Sequence, residues 1–183
     1  MRIEDHLYFA PNILFVDVDF GGAELPEQFR ARIRGFYLGP AHACAQGGHA
    51  FAAGALVLLC VDALARLQTG DEVVGRRFKK FVRDNLPSFA SEERADCLYG
   101  DFRNGLIHEG RIKSGAQFSL DTGETLTEIN GVVLVNPVLL ANEVGGALDR
   151  YIEVLHGDAD ARRGFSDALS RDHDDDRAMN GVV

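Results

Sequence analysis

The sequence predicts a mainly α-helical fold, an antiparallel helical bundle with a small antiparallel β-sheet insertion. Three observations predict it. Ala41 to Val61 holds no charged residue and is apolar on all sides over its middle, as the central helix of a bundle is. Two further stretches, 71–84 and 92–109, carry one-sided apolar stripes at helical spacing. After Gly110 the period changes from helical to alternating, which is how strands read.

Taken in order, Ile13 to Phe20 predicts a half-exposed strand, with Leu14, Val16, Val18 and Phe20 on one face and Asp17 and Asp19 on the other. The solvent face explains both aspartates without a bound cation. A helix follows from near Pro26, where proline suits the first turn, and ends at Gly39-Pro40. The long central helix runs from about Ala41 to Leu67 and stops at Thr69-Gly70-Asp71. In residues 71–84, Val74, Phe78, Phe81 and Val82 make the apolar side, and Asn85-Leu86-Pro87 ends the helix through the restriction a proline imposes on its predecessor. Ser91 is an N-cap with Glu92 and Glu93 behind it, and Ala95, Leu98, Tyr99, Phe102 and Leu106 form the stripe of the third bundle helix, 92–109. Residues 115–135 predict three short strands with turns at Asp121-Thr122-Gly123-Glu124 and Asn130-Gly131, and the strand at 13–20 is expected to join them. Asn136-Pro137 starts a last long helix to about His156. One domain over 1–157 is expected, with its bundle core at 41–156, followed by a short helix and a flexible acidic tail in 158–183.

The whole chain is acidic, with 28 acidic against 19 basic residues and a net charge of -9, which excludes wrapping nucleic acid over the entire surface. It leaves room for a local basic track. Arg76, Arg77, Lys79, Lys80 and Arg83 crowd into one helix and are the candidate RNA-backbone contacts, against the plainer reading of a solvated face. Cys44, Cys60 and Cys97 are an odd number at wide spacing, so neither a disulfide framework nor a zinc ribbon is expected. His42, Cys44 and His49 lack a familiar zinc spacing, and no metal site is assigned. The amino terminus has no signal-peptide core, and only Ala50 to Val61 is continuously apolar, too short to span a bilayer. A cytoplasmic protein without a membrane partner is expected. No phosphate-loop or nucleophile-elbow pattern is present.

The stretch Asp101-Phe102-Arg103-Asn104-Gly105-Leu106-Ile107-His108-Glu109-Gly110 carries the chemistry. His108 falls in a final helical turn, where unpaired carbonyls favour an imidazolium able to exchange a proton near neutral pH. Arg103 offers a planar fork suited to phosphate oxygens. On an ideal helix at about 100° per residue the two diverge by about 140°, so arginine reach or a second subunit must bring them to one phosphate. Gly110 is expected to end the helix, and Gly105 to remove bulk where a second helix or substrate approaches. The plainer reading is an exposed polar helix end with Arg103 paired to Asp101 or Glu109.

Arg103-Asn104-Gly105-Leu106-Ile107-His108 resembles the R-x4-6-H motif of HEPN domains, in which a polar residue often follows the arginine on a late bundle helix. The resemblance covers about residues 41–156 and implies an all-helical bundle that dimerises to form a composite site. It implies a metal-independent endoribonuclease with no cofactor, of the kind found in toxin–antitoxin, phage-defence or RNA-processing systems, under the control of an antitoxin or regulatory protein. Arg103 and His108 would be catalytic and Asn104 would orient or support them. The alternative is a non-catalytic module of the same fold that binds RNA, a nucleotide or a protein partner.

Overall fold

The computed structural model describes residues 2–3, 6–69 and 73–179. The fold is mainly helical with small sheets, and the chain divides into two units: residues 37–147, and residues 1–36 with 148–183.

The unit 37–147 is assembled around α3 (Ala50–Thr69), which packs against both α2 (Gly39–Gln46) and α4 (Val74–Asn85). The expected single helix over 41–67 is thus two helices. Gly47-Gly48 breaks it, Gly48 taking a φ of 81° that only glycine adopts without strain. Pro40 does not end a helix but sits in the first turn of α2, where its missing N–H costs nothing. By length and composition α3 is apolar enough to cross a membrane. Its face bearing Ala53, Val57, Val61 and Leu64 is nevertheless buried in the core of this unit. Asp71 and Glu72, the expected start of the next helix, lie outside the described residues, and α4 begins at Val74 and ends before Leu86-Pro87 as expected. Phe78, Phe81, Val82, Leu86 and Phe89 bury completely.

Strand β4 (Gln117–Phe118), β5 (Leu126–Ile129) and β6 (Val132–Val135) form one sheet in the order β4-β6-β5. Asn130 and Gly131 both have positive φ, 52° and 78°, so a two-residue turn joins β5 to β6 as an antiparallel hairpin. β4 instead pairs with β6 in parallel. The segment after β4 is therefore a crossover, in which the Asn136 side chain donates to the Thr122 carbonyl at 2.8 Å. Phe118 of β4 lies against α3 at Gly54, where any Cβ would come within 2.2 Å of the ring. The Asn136 carboxamide oxygen caps α6 (Pro137–Gly157), accepting from the N–H groups of Val138 and Leu139 at 3.0 and 3.3 Å.

The other unit holds a separate sheet in the order β1 (Arg2–Ile3), β2 (His6–Ala10), β3 (Ile13–Leu14). The expected strand over 13–20 ends at Leu14 and does not join the second sheet. A 3-10 turn over Phe15–Asp17 replaces it, burying Phe15, Val18 and Phe20 and leaving Val16 55% exposed. Its three-residue period puts positions 15 and 18, not 16 and 18, on one side. The unit also contains α1 (Leu25–Ile33), α7 (Ala159–Asp172) and the terminal α8 (Asp174–Met179), so described residues of the expected flexible tail are helical. His173, between α7 and α8, lies within 5.6–5.8 Å of the rings of Phe9, Phe15 and Phe20.

Candidate functional site

The helix that carries the motif starts as expected. The Ser91 hydroxyl accepts from the Arg94 N–H at 3.3 Å, and α5 (Glu92–Cys97) follows with Glu92 and Glu93 in its first turn. Beyond Cys97 the winding changes. Leu98–Arg103 and Gly105–Glu109 are π-helical, with the Asn104 N–H donating to the Tyr99 carbonyl and the Gly110 N–H to the Gly105 carbonyl. A hydrogen bond that reaches back five residues needs more residues per turn than an α-helix. Residues five apart thereby move towards alignment, and Arg103 and His108 are five apart. Winding of this kind lessens the divergence expected of an ideal helix, although Asn104 between the two segments is α-helical.

Gly110 ends the helix in the left-handed region, with φ 64°. The return segment then folds over the motif. Arg111 donates its N–H to the Gly105 carbonyl at 3.2 Å, Lys113 donates its own to the Asp101 carbonyl at 3.0 Å, and the Ser114 hydroxyl donates to the Asp101 carboxylate at 2.9 Å. Gly105 is buried beneath this segment, and a Cβ there would lie 2.4 Å from the Arg111 carbonyl oxygen. The bulk removed at Gly105 makes room for the chain's own return, where the sequence suggested a second helix or a substrate.

Arg103 pairs with neither Asp101 nor Glu109. Its Nε donates to Asp62 Oδ2 of α3 at 2.8 Å, its Nη1 donates to Asn104 Oδ1 at 3.0 Å, and its guanidinium carbon stands 5.8 Å from the centre of the Tyr99 ring. Tyr99 itself rests on Phe78 and against Gly75 of α4. The Arg103 and Asp62 side chains are 14% and 18% exposed, so the arginine is held and not free in solvent. Asp101 is occupied by the return segment, and Glu109 pairs with Lys113 at 2.6 Å and Arg111 at 2.7 Å. The bond to Lys113, more than any other influence, holds the Glu109 carboxyl below its ordinary range. His108 is exposed and has no hydrogen-bond partner among the described residues. Asn104 is part-buried and joined to Arg103, which places it as a support for the guanidinium. The group presents a fixed cation and a free imidazole on neighbouring turns, able to hold an oxyanion and move a proton.

No family model, curated protein or solved structure matches this chain. The chemistry of the site therefore rests on its own geometry.

The α4 basic residues are more engaged than their sequence suggests. Lys79 pairs with Asp96 at 2.8 Å, Lys80 with Asp84 at 2.6 Å and Arg83 with Glu92 at 3.9 Å, in pairs whose side chains are at least 33% exposed. Such exposed pairs are weak and exchange readily with other ions. Arg76 is exposed, while Arg77 buries its Nε with no hydrogen-bond partner among the described residues. Among the described residues no group of three or more His, Cys, Asp and Glu side chains is arranged to hold a metal. His42 instead lines a cavity of about 450 Å³ with Gln46, Leu120, Val138 and Leu139.

Sequence reasoning missed Asp62. Its signal is its isolation, since it is the one charged residue between Ala50 and Ala65. An acid placed alone on an otherwise apolar helix calls for a cationic partner from another element.

Proposed function

We propose that this protein is a metal-independent endoribonuclease of the HEPN type, working as a homodimer in the cytoplasm. The observation that carries the reading is the π-helical winding of 98–109, which turns Arg103 and His108 towards one side of a helix while Asp62 and Asn104 hold the arginine. The 2'-hydroxyl of one nucleotide attacks the adjacent phosphorus, and the bond to the 5'-oxygen of the next nucleotide breaks. His108 takes the proton from the hydroxyl or gives one to the departing oxygen. In a dimer with facing motifs, one copy does each. Arg103 stabilises the charge on the phosphorane oxygens. The products are a 2',3'-cyclic phosphate and a 5'-hydroxyl. Exposed Ile107 and Leu59, at 48% and 46%, lie on the elements that carry His108 and Asp62 and would supply apolar surface to such a dimer. Control by an antitoxin or regulatory protein, in a toxin, defence or RNA-processing setting, belongs to the same reading.

The test is incubation of the protein with mixed RNA in the presence of a chelator, beside His108→Ala. Wild type should cut and the variant should lose at least about 100-fold in rate, the scale of general acid–base catalysis, with an unchanged melting curve. Equal rates would remove the reading. A non-catalytic module of the same fold is the second reading, and the ion pairing of Lys79, Lys80 and Arg83 favours a protein partner over RNA for it, since phosphates at α4 would first have to displace those carboxylates.

A further inference from the structure

Asp62 is unexplained by the chemistry assigned to Arg103 and His108. Its Oδ2 takes the Arg103 Nε–H, but its Oδ1 is buried with no hydrogen-bond partner among the described residues. A half-satisfied carboxylate in such a place is a costly way to stabilise a fold, since an apolar pair of similar volume serves as well or better. What the arrangement does secure is direction. With Nε held by Asp62, Nη1 by Asn104 and one face near Tyr99, the guanidinium has little rotational freedom. Nη2 has no hydrogen-bond partner among the described residues and is left to donate to a ligand.

We propose that Asp62 is a positioning residue, which locks the Arg103 fork through Nε so that Nη2 is presented to a phosphate oxygen. The consequence for catalysis rests on the ribonuclease reading; the locking of Arg103 does not. Loss of the lock lets the guanidinium swing, which lowers the rate of the chemical step more than it weakens substrate capture, because a cation that is present but misaligned still attracts the phosphate.

Two measurements test this on the full chain. Hydrogen exchange at arginine Nε–H groups, followed by 15N-resolved NMR, should show Arg103 at least about ten-fold slower than Arg163, whose side chain is 73% exposed. The protection should weaken in Asp62→Asn, whose neutral carboxamide oxygen is the poorer acceptor, vanish in Asp62→Ala, and persist in Asp62→Glu. In RNA cleavage, Asp62→Asn should lower kcat about 10- to 100-fold with KM within about two-fold, and Asp62→Glu should restore most of the loss. An Arg103 Nε–H that exchanges as fast as that of Arg163 in the wild type overturns the proposal without recourse to any variant. Unchanged kcat in a folded Asp62→Asn overturns it as well. Protection that depends on Asp62 in a protein that cuts no RNA supports the lock and removes the ribonuclease reading.

Discussion

Gly105 shows how a single residue controls the site. Its hydrogen atom faces the Arg111 carbonyl, and a methyl group there would stand 2.4 Å from that oxygen. Backbone cannot yield as a flexible side-chain tip can, so Gly105→Ala should cost about 1–3 kcal/mol in urea denaturation and, under the proposed ribonuclease function, lower RNA cleavage by displacing the segment between Arg103 and His108. Gly100 is the control. Nothing lies within 4 Å of a Cβ there, so Gly100→Ala should be neutral or stabilising by up to about 1 kcal/mol. Equal midpoints for wild type and Gly105→Ala would contradict the account. The importance of Gly105 was legible in the sequence, but its cause was not. The return of residues 111–114 depends on hydrogen bonds to Asp101 and Gly105 that no periodicity encodes. The same holds for the partner of Arg103, because Asp62 is 41 residues away and reaches it only through packing of the bundle.

At the scale of elements, what was legible had local chemistry. Ser91 and Asn136 cap helices because each side chain can reach the free N–H groups of its own first turn, and the Asn130-Gly131 turn follows from the positive φ both residues tolerate. Asn136 is 5% exposed and also donates to the Thr122 carbonyl. Asn136→Ala should therefore cost more than a surface cap, about 1–2 kcal/mol for the cap and about 0.5–1.5 kcal/mol for the lost bond to the part-buried Thr122 carbonyl, read as a lowered urea midpoint. A loss below about 0.5 kcal/mol would show that the cap and the crossover are not coupled. What was not legible had competing local solutions. Glycines 47 and 48 sit inside an apolar run that otherwise reads as continuous helix, and Phe15 to Asp17 can alternate as a strand or wind as a 3-10 turn. In both places tertiary burial decides, by choosing which side chains lie inside. The π-helical winding at 98–109, on which the proposed function rests, is invisible to a 3.6-residue projection.

At the scale of the molecule, both units withdraw from water groups that thereby favour their neutral form. Burial pushes the Cys60 thiol in residues 37–147 up to about 12 from 9.0, and the Tyr151 hydroxyl in the other unit up to about 12 from 10.0. In each case the folded state holds its proton longer than the unfolded chain does. The associated stability is complete below the unfolded values and is lost as pH rises through about 9 and 10 towards 12. Urea midpoints should be level near neutrality and fall from about pH 9 upward, Cys60→Ala reducing the earlier part of the fall and leaving the share of Cys97, whose thiol burial pushes up to about 11. A wild-type midpoint unchanged up to pH 11 would contradict the burial of these groups. The proposed function, like stability, draws on the assembled chain, because α3 brings Asp62, the π-helical segments bring Arg103 and His108, and in that reading a second copy completes the pair of histidines. The most direct measurement of that claim is the chemistry of the ends left on RNA after incubation in chelator. Wild type should leave 2',3'-cyclic phosphates and 5'-hydroxyls, and His108→Ala should leave none; intact RNA from wild-type protein, or 3'-hydroxyl ends made equally by both, would contradict it.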